Sequence, residues 1–212
     1  LFAEVLSRSR YVADLLERAP ESVKLFAESS RRVPRSRTAI ASTMASVVRR
    51  QQDVEKAMLA ARTVRRTELT RIAIADVLGE LDLEGVEKAL TDVMAATLQT
   101  GLDLAWRAVC DDADARLTDV TIIGMGRFGG RELGYSSDAD VMFVCQPAEG
   151  VSDTDAVRWS IGICDRMRKR LAKPSGDPPL DVDLGLRPEG RSGPVVRTLE
   201  SYRRYYQQWG ET

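Results

Sequence analysis

Histidine is absent from all 212 residues. Mechanisms that rest on a histidine base or a histidine-held metal are therefore excluded, and carboxylates, hydroxyls and bound ions remain. Cysteine is scarce, with only Cys110, Cys145 and Cys164. Three thiols without Cys-x-x-Cys spacing suggest neither a disulfide framework nor a zinc site, and each lies in an apolar segment where a buried thiol is expected. Long hydrophobic runs are missing too: none approaches the ~20 residues of a membrane span. With no signal peptide legible either, a cytoplasmic protein with no membrane partner is expected. Neither sign of charge dominates, since 31 basic residues face 32 acidic ones for a net charge of −1. Nucleic-acid binding generally rests on a basic domain, so nucleic acid is not expected as a partner.

What the chain does have is a glycine-rich stretch running into a carboxylate pair. Val120–Ile123 is a short β-branched run that reads as a buried strand. Gly124, Gly126, Gly129 and Gly130 follow it. Glycine lets main-chain N–H groups approach a phosphate with no Cβ in the way, and Arg127 and Arg131 stand where they could add positive charge. Asp138 and Asp140 then open a second run, Asp-Ala-Asp-Val-Met-Phe-Val, with strand character. Residues two apart on a strand share a face, so both carboxylates converge on one point. Two anions held together repel unless a cation sits between them, which points to a divalent metal. The competing reading of an Asp-x-Asp is a solvated strand end.

Gly124-Met-Gly126-Arg-Phe-Gly129 also satisfies the dinucleotide fingerprint. That fold needs a helix of several turns and then a parallel strand, and the space between Gly130 and Asp138, broken by Gly134, is too short. A third carboxylate comes from Leu180–Pro188, where Asp181 and Asp183 alternate on one face. Beside the first pair, it would complete a site for two divalent ions about 3.5–4 Å apart, able to clamp the attacking and leaving oxygens of a phosphoryl or nucleotidyl transfer. Arg187 is placed to meet phosphate, to hold a carboxylate, or to form a structural ion pair.

The glycine loop with Ser136-Ser137-Asp-x-Asp, followed about 40 residues later by Val182-Asp183-x-x-Leu186-Arg187-Pro188-x-Gly190, resembles the nucleotidyltransferase domains of glutamine synthetase adenylyltransferases of actinobacterial type. The resemblance covers roughly Asp119 to Thr212 and implies an α+β fold: a polymerase-β-type nucleotidyltransferase core with a short mixed sheet, here preceded by a helical region. It implies Asp138, Asp140 and Asp183 as catalytic and metal-holding residues, with Asp183 preferred to Asp181. It implies Gly126, Arg127, Gly129, Gly130, Ser137 and Arg187 as the nucleotide-binding set. Gly185 is a departure, since relatives often carry a larger residue there. ATP as substrate and Mg2+, as two ions, are the implied cofactors. Glutamine synthetase is the implied protein substrate, and a PII-type nitrogen signalling protein a further partner.

Family members carry two such domains, one attaching AMP to a tyrosine of glutamine synthetase and one removing it by phosphorolysis. Glu132-Leu133-Gly134-Tyr135-Ser136-Ser137 looks like the attaching, C-terminal copy, whereas Arg191-Ser192-Gly193-Pro194 is similar to removing copies. Adenylylation is the favoured expectation. Deadenylylation and a non-catalytic regulatory module stay open.

Organisation changes near residue 112. A helical region over 1–111 is expected, with helices at Leu1–Glu17, Glu21–Ser29, Arg37–Arg62, Arg66–Leu78 and Leu83–Val109 from three- and four-residue apolar spacing. Arg49, Arg50, Lys56 and Arg62 interleave with Asp53 and Glu55 as on a solvated face, a docking surface for the substrate being the alternative. Asp111–Arg116 reads as a polar junction into a catalytic domain over 112–212. There a helix capped by Ser152 or Asp153 runs to about Leu171, Lys173–Pro179 forms a loop whose length suggests mobility, and a final helix carries Tyr202, Tyr205, Tyr206 and Trp209. Leu1 is not a methionine and Thr212 ends inside a continuing segment, so a fragment of a larger protein is expected.

Overall fold

The computed structural model describes residues 1–110, 116–178 and 180–210. Most of the expected junction, Asp111–Ala115, lies outside them. The architecture is α+β, as the resemblance implied, and it divides into two compact units. The first comprises Leu1–Thr100 with Arg131–Ser137 and Lys173–Pro179; the second comprises Gly101–Gly130, Asp138–Ala172 and Leu180–Thr212. Among the described residues no helix is long and apolar enough to cross a membrane.

The first unit is built from α1 (Phe2–Arg8), α2 (Arg10–Arg18), α3 (Arg37–Arg49), α4 (Val54–Val77) and the start of α5 (Leu83–Arg107). Three helix boundaries differ from the periodicity reading, each for a local reason. Ser9 splits the first helix, because its extended backbone and its hydroxyl, which accepts from Val12 N, start α2 afresh. The Glu21–Ser29 segment forms 3-10 turns over Pro20–Phe26 and Ser29–Arg31. Arg37–Arg62 is not one helix: Asp53 caps α4 by accepting from Lys56 N at 2.8 Å, and α4 then runs unbroken past the expected interruption at residues 63–65.

That redrawn helix changes what its arginines do. Arg62 does not lie on a solvated face; it is buried, with Nη1 donating to Lys173 O at 2.5 Å and Nη2 to Asp177 O at 3.2 Å. Arg65 Nη1 donates to Pro178 O at 2.6 Å, and Arg66 Nη1 stands 2.6 Å from Asp177 Oδ1 in an ion pair that lacks hydrogen-bond alignment. The 173–178 loop, whose length suggested mobility, is thus pinned by three arginines from little more than one turn of α4. Arg62→Met should cost about 1–3 kcal/mol, because two buried carbonyls lose their donors; a urea midpoint equal to that of the wild type would refute the pinning.

Arg32 and Glu80 form a second clamp in this unit, with Arg32 Nη2 2.5 Å from Glu80 Oε1 and Nε 2.8 Å from Oε2. The hydrogen bonds from Arg32 hold the Glu80 carboxyl below its ordinary value of 4.5. A depressed carboxyl contributes stability above that value and loses it as pH falls. Glu80→Gln should therefore lower stability above about pH 4.5, where the pair contributes, and converge on the wild type at lower pH, a contrast readable from urea midpoints across pH.

The second unit is a four-stranded mixed sheet with helices on both faces. Its strands are β1 (Thr118–Gly124), β2 (Ala139–Pro147), β3 (Val182–Asp183) and β4 (Val196–Thr198). The one-turn α6 (Gly126–Gly130) joins β1 to β2, α7 (Asp153–Ala172) follows β2, and α8 (Leu199–Trp209) follows β4. β1 pairs antiparallel with β2, which excludes a parallel dinucleotide-binding crossover; β3 and β4 each pair parallel with β2 on its other edge.

Alternation along β2 sets which face is chemical. Ala139, Val141, Phe143 and Cys145 are fully buried, and Cys145 meets Ser160 of α7. The other face carries Asp140, Met142 and Val144, with Tyr202 of α8 packed on the last two and donating its hydroxyl to Phe143 O at 3.4 Å. The aromatic stripe of α8 is thus in part a packing device, as its spacing suggested. Cys145 and Cys164 are buried, but Cys110 is only half-buried; none is in a disulfide. Burial pushes both buried thiols above their ordinary range.

Candidate active site

Strand register explains how three carboxylates meet. Asp138 and Asp140 are two apart on one chain, and Asp140 stands in register with Asp183 of the parallel neighbour β3. Residues in register on adjacent strands point to the same side of the sheet. One carboxylate oxygen from each of Asp138, Asp140 and Asp183 lies within 4.8 Å of the others. Asp181 is not in this group; its carbonyl instead accepts from Ala139 N at 2.9 Å, continuing the ladder.

The cluster is under electrostatic stress. Burial first, then the charges of Asp138 and Asp183, push the Asp140 carboxyl above its ordinary value, while Arg127 pulls it back. Asp183 is steadied by Gly185 N, which donates to its Oδ1 at 2.7 Å. A Cβ on Gly185 would come 3.2 Å from that oxygen, so the departure from a larger residue at this position leaves the carboxylate unobstructed.

The glycine loop lies directly beside the cluster. Met125 N donates to Asp140 O at 2.8 Å, tying the end of β1 to the carboxylate strand. Gly126 has φ +49°, and a Cβ there would stand 2.6 Å from Asp140 Oδ2. Only glycine accommodates both the backbone conformation and that approach. Gly129 is held close to Gly124 O, with its own N–H spent on Met125 O at 2.7 Å. Arg127 and Gly130 are exposed on the same one-turn helix.

Other residues singled out from the sequence are placed differently from one another. Arg187 makes its hydrogen bonds to carbonyls and to none of the three carboxylates: Nη1 donates to Leu184 O at 2.6 Å, Nε to Gly193 O at 3.0 Å and Nη2 to Arg191 O at 3.0 Å. The guanidinium closes the loop that follows Asp183. Arg131 pairs with Asp92 at 3.1 Å. Ser137 accepts from Gly134 N at 3.0 Å, so its hydroxyl closes the turn just before Asp138.

Two neighbours of the cluster were not singled out. Leu186 is 52% exposed, and its Cδ1 lies 3.2 Å from the position a Gly126 Cβ would take, so an aliphatic side chain forms the lip of the acidic group. Glu189, at φ +63°, accepts from Arg197 of β4 at 2.9 Å and fastens the far end of the same loop. The only sequence signal for either was position within the run after Asp183.

Comparison with known proteins places the chain in a family. The family described as "Glutamate-ammonia ligase adenylyltransferase" matches residues 1–212. The chain is 51% identical to a protein of Corynebacterium diphtheriae named "Bifunctional glutamine synthetase adenylyltransferase/adenylyl-removing enzyme", with 98% of this chain and 20% of the relative covered. Proteins of the same name from Mycolicibacterium smegmatis and Mycobacterium tuberculosis are 50% and 49% identical, each over 98% of this chain and 21% of the relative. The chain thus spans about a fifth of the length of the curated relatives it matches. It belongs to the glutamate-ammonia ligase adenylyltransferase family.

Proposed function

We propose that this segment transfers AMP from ATP to a tyrosine of glutamine synthetase, acting in the cytoplasm and lowering that enzyme's activity in nitrogen control. The carrying observation is the convergence of Asp138, Asp140 and Asp183 within 4.8 Å beside Gly126, whose missing Cβ lets the glycine loop approach the Asp140 carboxylate. Three hard anionic oxygens that repel one another suit Mg2+ as a donor set. Two Mg2+ ions held by these carboxylates would neutralise the phosphate oxygens and increase the electrophilicity of the α-phosphorus.

The remaining work falls to the chain's own groups. The open surface at Gly126 admits the phosphates next to Asp140, and exposed Arg127 supplies a guanidinium for a phosphate oxygen. Gly129 and Gly130 shape the approach, and Ser137 closes the turn that precedes Asp138 in the chain. Asp183 accepts the proton of the acceptor tyrosine, whose free pKa is near 10, as the O–P bond forms and pyrophosphate leaves. Arg187 acts at one remove, holding the loop behind Asp183 in place. Regulation by a PII-type signalling protein belongs to the same reading and rests on the family resemblance.

The relatives' name includes both attachment and removal of adenylyl groups, so the test must assign this segment to one of them. In the full-length protein, Asp183→Asn should cut AMP gain on glutamine synthetase, read by mass with ATP and magnesium, at least about a hundredfold. Removal from pre-modified substrate should persist. Loss of removal, with ADP formation from phosphate abolished and attachment retained, reassigns the segment to the adenylyl-removing reaction.

A further inference from the structure

A cavity within the first unit is lined by none of the residues assigned above to AMP transfer. It encloses about 210 Å³ and is lined by Ser9, Tyr11, Ala73, Asp76, Val77, Tyr135 and Ser136. Its polar chemistry is one-sided. Asp76 is the single acidic group in the wall, and no lysine or arginine lines it. Tyr135 donates its hydroxyl to Asp76 Oδ2 at 2.9 Å. No described basic residue forms an ion pair with Asp76: Arg32, Arg35, Arg66, Arg71 and Arg131 all pair elsewhere. Arg65, whose charge acts on Tyr11, donates to Pro178 O and is not part of the cavity lining.

Position makes the missing cation more telling. Asp76 sits in the last turn of α4, which carries no basic residue there. The carboxyl end of a helix bears partial negative charge, so it repels a carboxylate and attracts a cation. The adjoining wall is aromatic: the Tyr11 and Tyr135 rings stand 5.2 Å apart at 54°. Burial holds both phenols in their neutral form, and ring faces attract cations. Ala73 and Val77 supply an apolar floor, while exposed Ser136 marks the mouth.

The geometry points to a binding site for a small organic ammonium ion, seated in the cavity beside the tilted Tyr11 and Tyr135 rings with its charge against Asp76. At about 210 Å³ the space is below the ~300–1,000 Å³ of pockets for drug-sized ligands, which selects a short amine over a nucleotide. The site is independent of the AMP-transfer reading and stands or falls separately.

The test is saturation-transfer NMR and calorimetric titration of the full-length protein with choline, against sodium chloride at the same ionic strength. Saturable transfer to the N-methyl protons is expected, with affinity at least tenfold weaker in Asp76→Asn, which keeps the shape and loses the charge. Ser136→Trp, which changes only the exposed rim, should weaken it similarly by closing the mouth, and it decides the matter if Asp76→Asn does not fold. Absence of saturable binding in the wild type, equal displacement by sodium, or unchanged affinity in the folded variants overturns the site.

Discussion

Asp140→Asn should lower AMP transfer at least a thousandfold, about 4 kcal/mol in the barrier, while the protein keeps its fold. The two halves of that expectation have different causes. Catalytically, asparagine removes one of three anionic oxygens that would hold the metal and replaces it with a neutral donor of poor affinity for Mg2+. Structurally, the Asp140 carboxyl contributes nothing that asparagine cannot. Its main-chain oxygen still accepts from Met125 N, and its position in the ladder is unchanged. A carboxyl whose folded pKa is raised destabilises the fold as pH climbs through that value, so neutralising it relieves repulsion from Asp138 and Asp183. At neutral pH the urea midpoint should therefore match or exceed the wild type. Retained transfer would remove Asp140 from the mechanism, and a collapsed fold would show that its role is structural.

Gly126→Ala should be damaging on both counts. Alanine at φ +49° costs about 1–2 kcal/mol of backbone strain. The added methyl would also meet Asp140 Oδ2 at 2.6 Å and Leu186 Cδ1 at 3.2 Å, so either the loop or the carboxylate must shift. A displacement of the order of 1 Å at the reacting centre is worth about a hundredfold in rate, and that is the loss expected in AMP transfer. Gly150→Ala is the internal control. Gly150 has φ +77° with nothing within 4 Å of its would-be Cβ, so it should show the strain in its urea midpoint and no change in rate. Equal rates in both variants would mean that the approach of Gly126 to Asp140 has no catalytic weight.

The carboxylate cluster was more legible in the sequence than the helix boundaries were. Spacing alone places Asp138 and Asp140 on one face, because the strand repeat of two residues is short-range and rigid. Bringing Asp183 to them needs pairing between β2 and β3, a contact across about 40 residues that the resemblance supplied and spacing did not. The direction of Arg187 was not legible either. A guanidinium in a Leu-Arg-Pro turn serves equally for phosphate, carboxylate or carbonyl, and the three carbonyls it bonds come from a loop whose path depends on Glu189 and Arg197.

In the helical part, apolar periodicity found the elements and missed their ends. Ser9 and Asp53 are unremarkable inside a periodic run until their side chains are seen to accept from Val12 N and Lys56 N. Of the interleaved charges, Arg49, Arg50 and Lys56 are exposed as expected, and Arg62 alone misled: it resembles its neighbours unless the 173–178 loop, more than a hundred residues later in the chain, is known to arrive and take its guanidinium.

The most direct measurement is an anomalous-scattering map of crystals of the full-length protein soaked in Mn2+ with a non-hydrolysable ATP analogue. The expected result is density for divalent ion coordinated by Asp138, Asp140 and Asp183, with the nucleotide phosphates against Gly126. Nucleotide and metal bound elsewhere, with these three carboxylates bare, would contradict it.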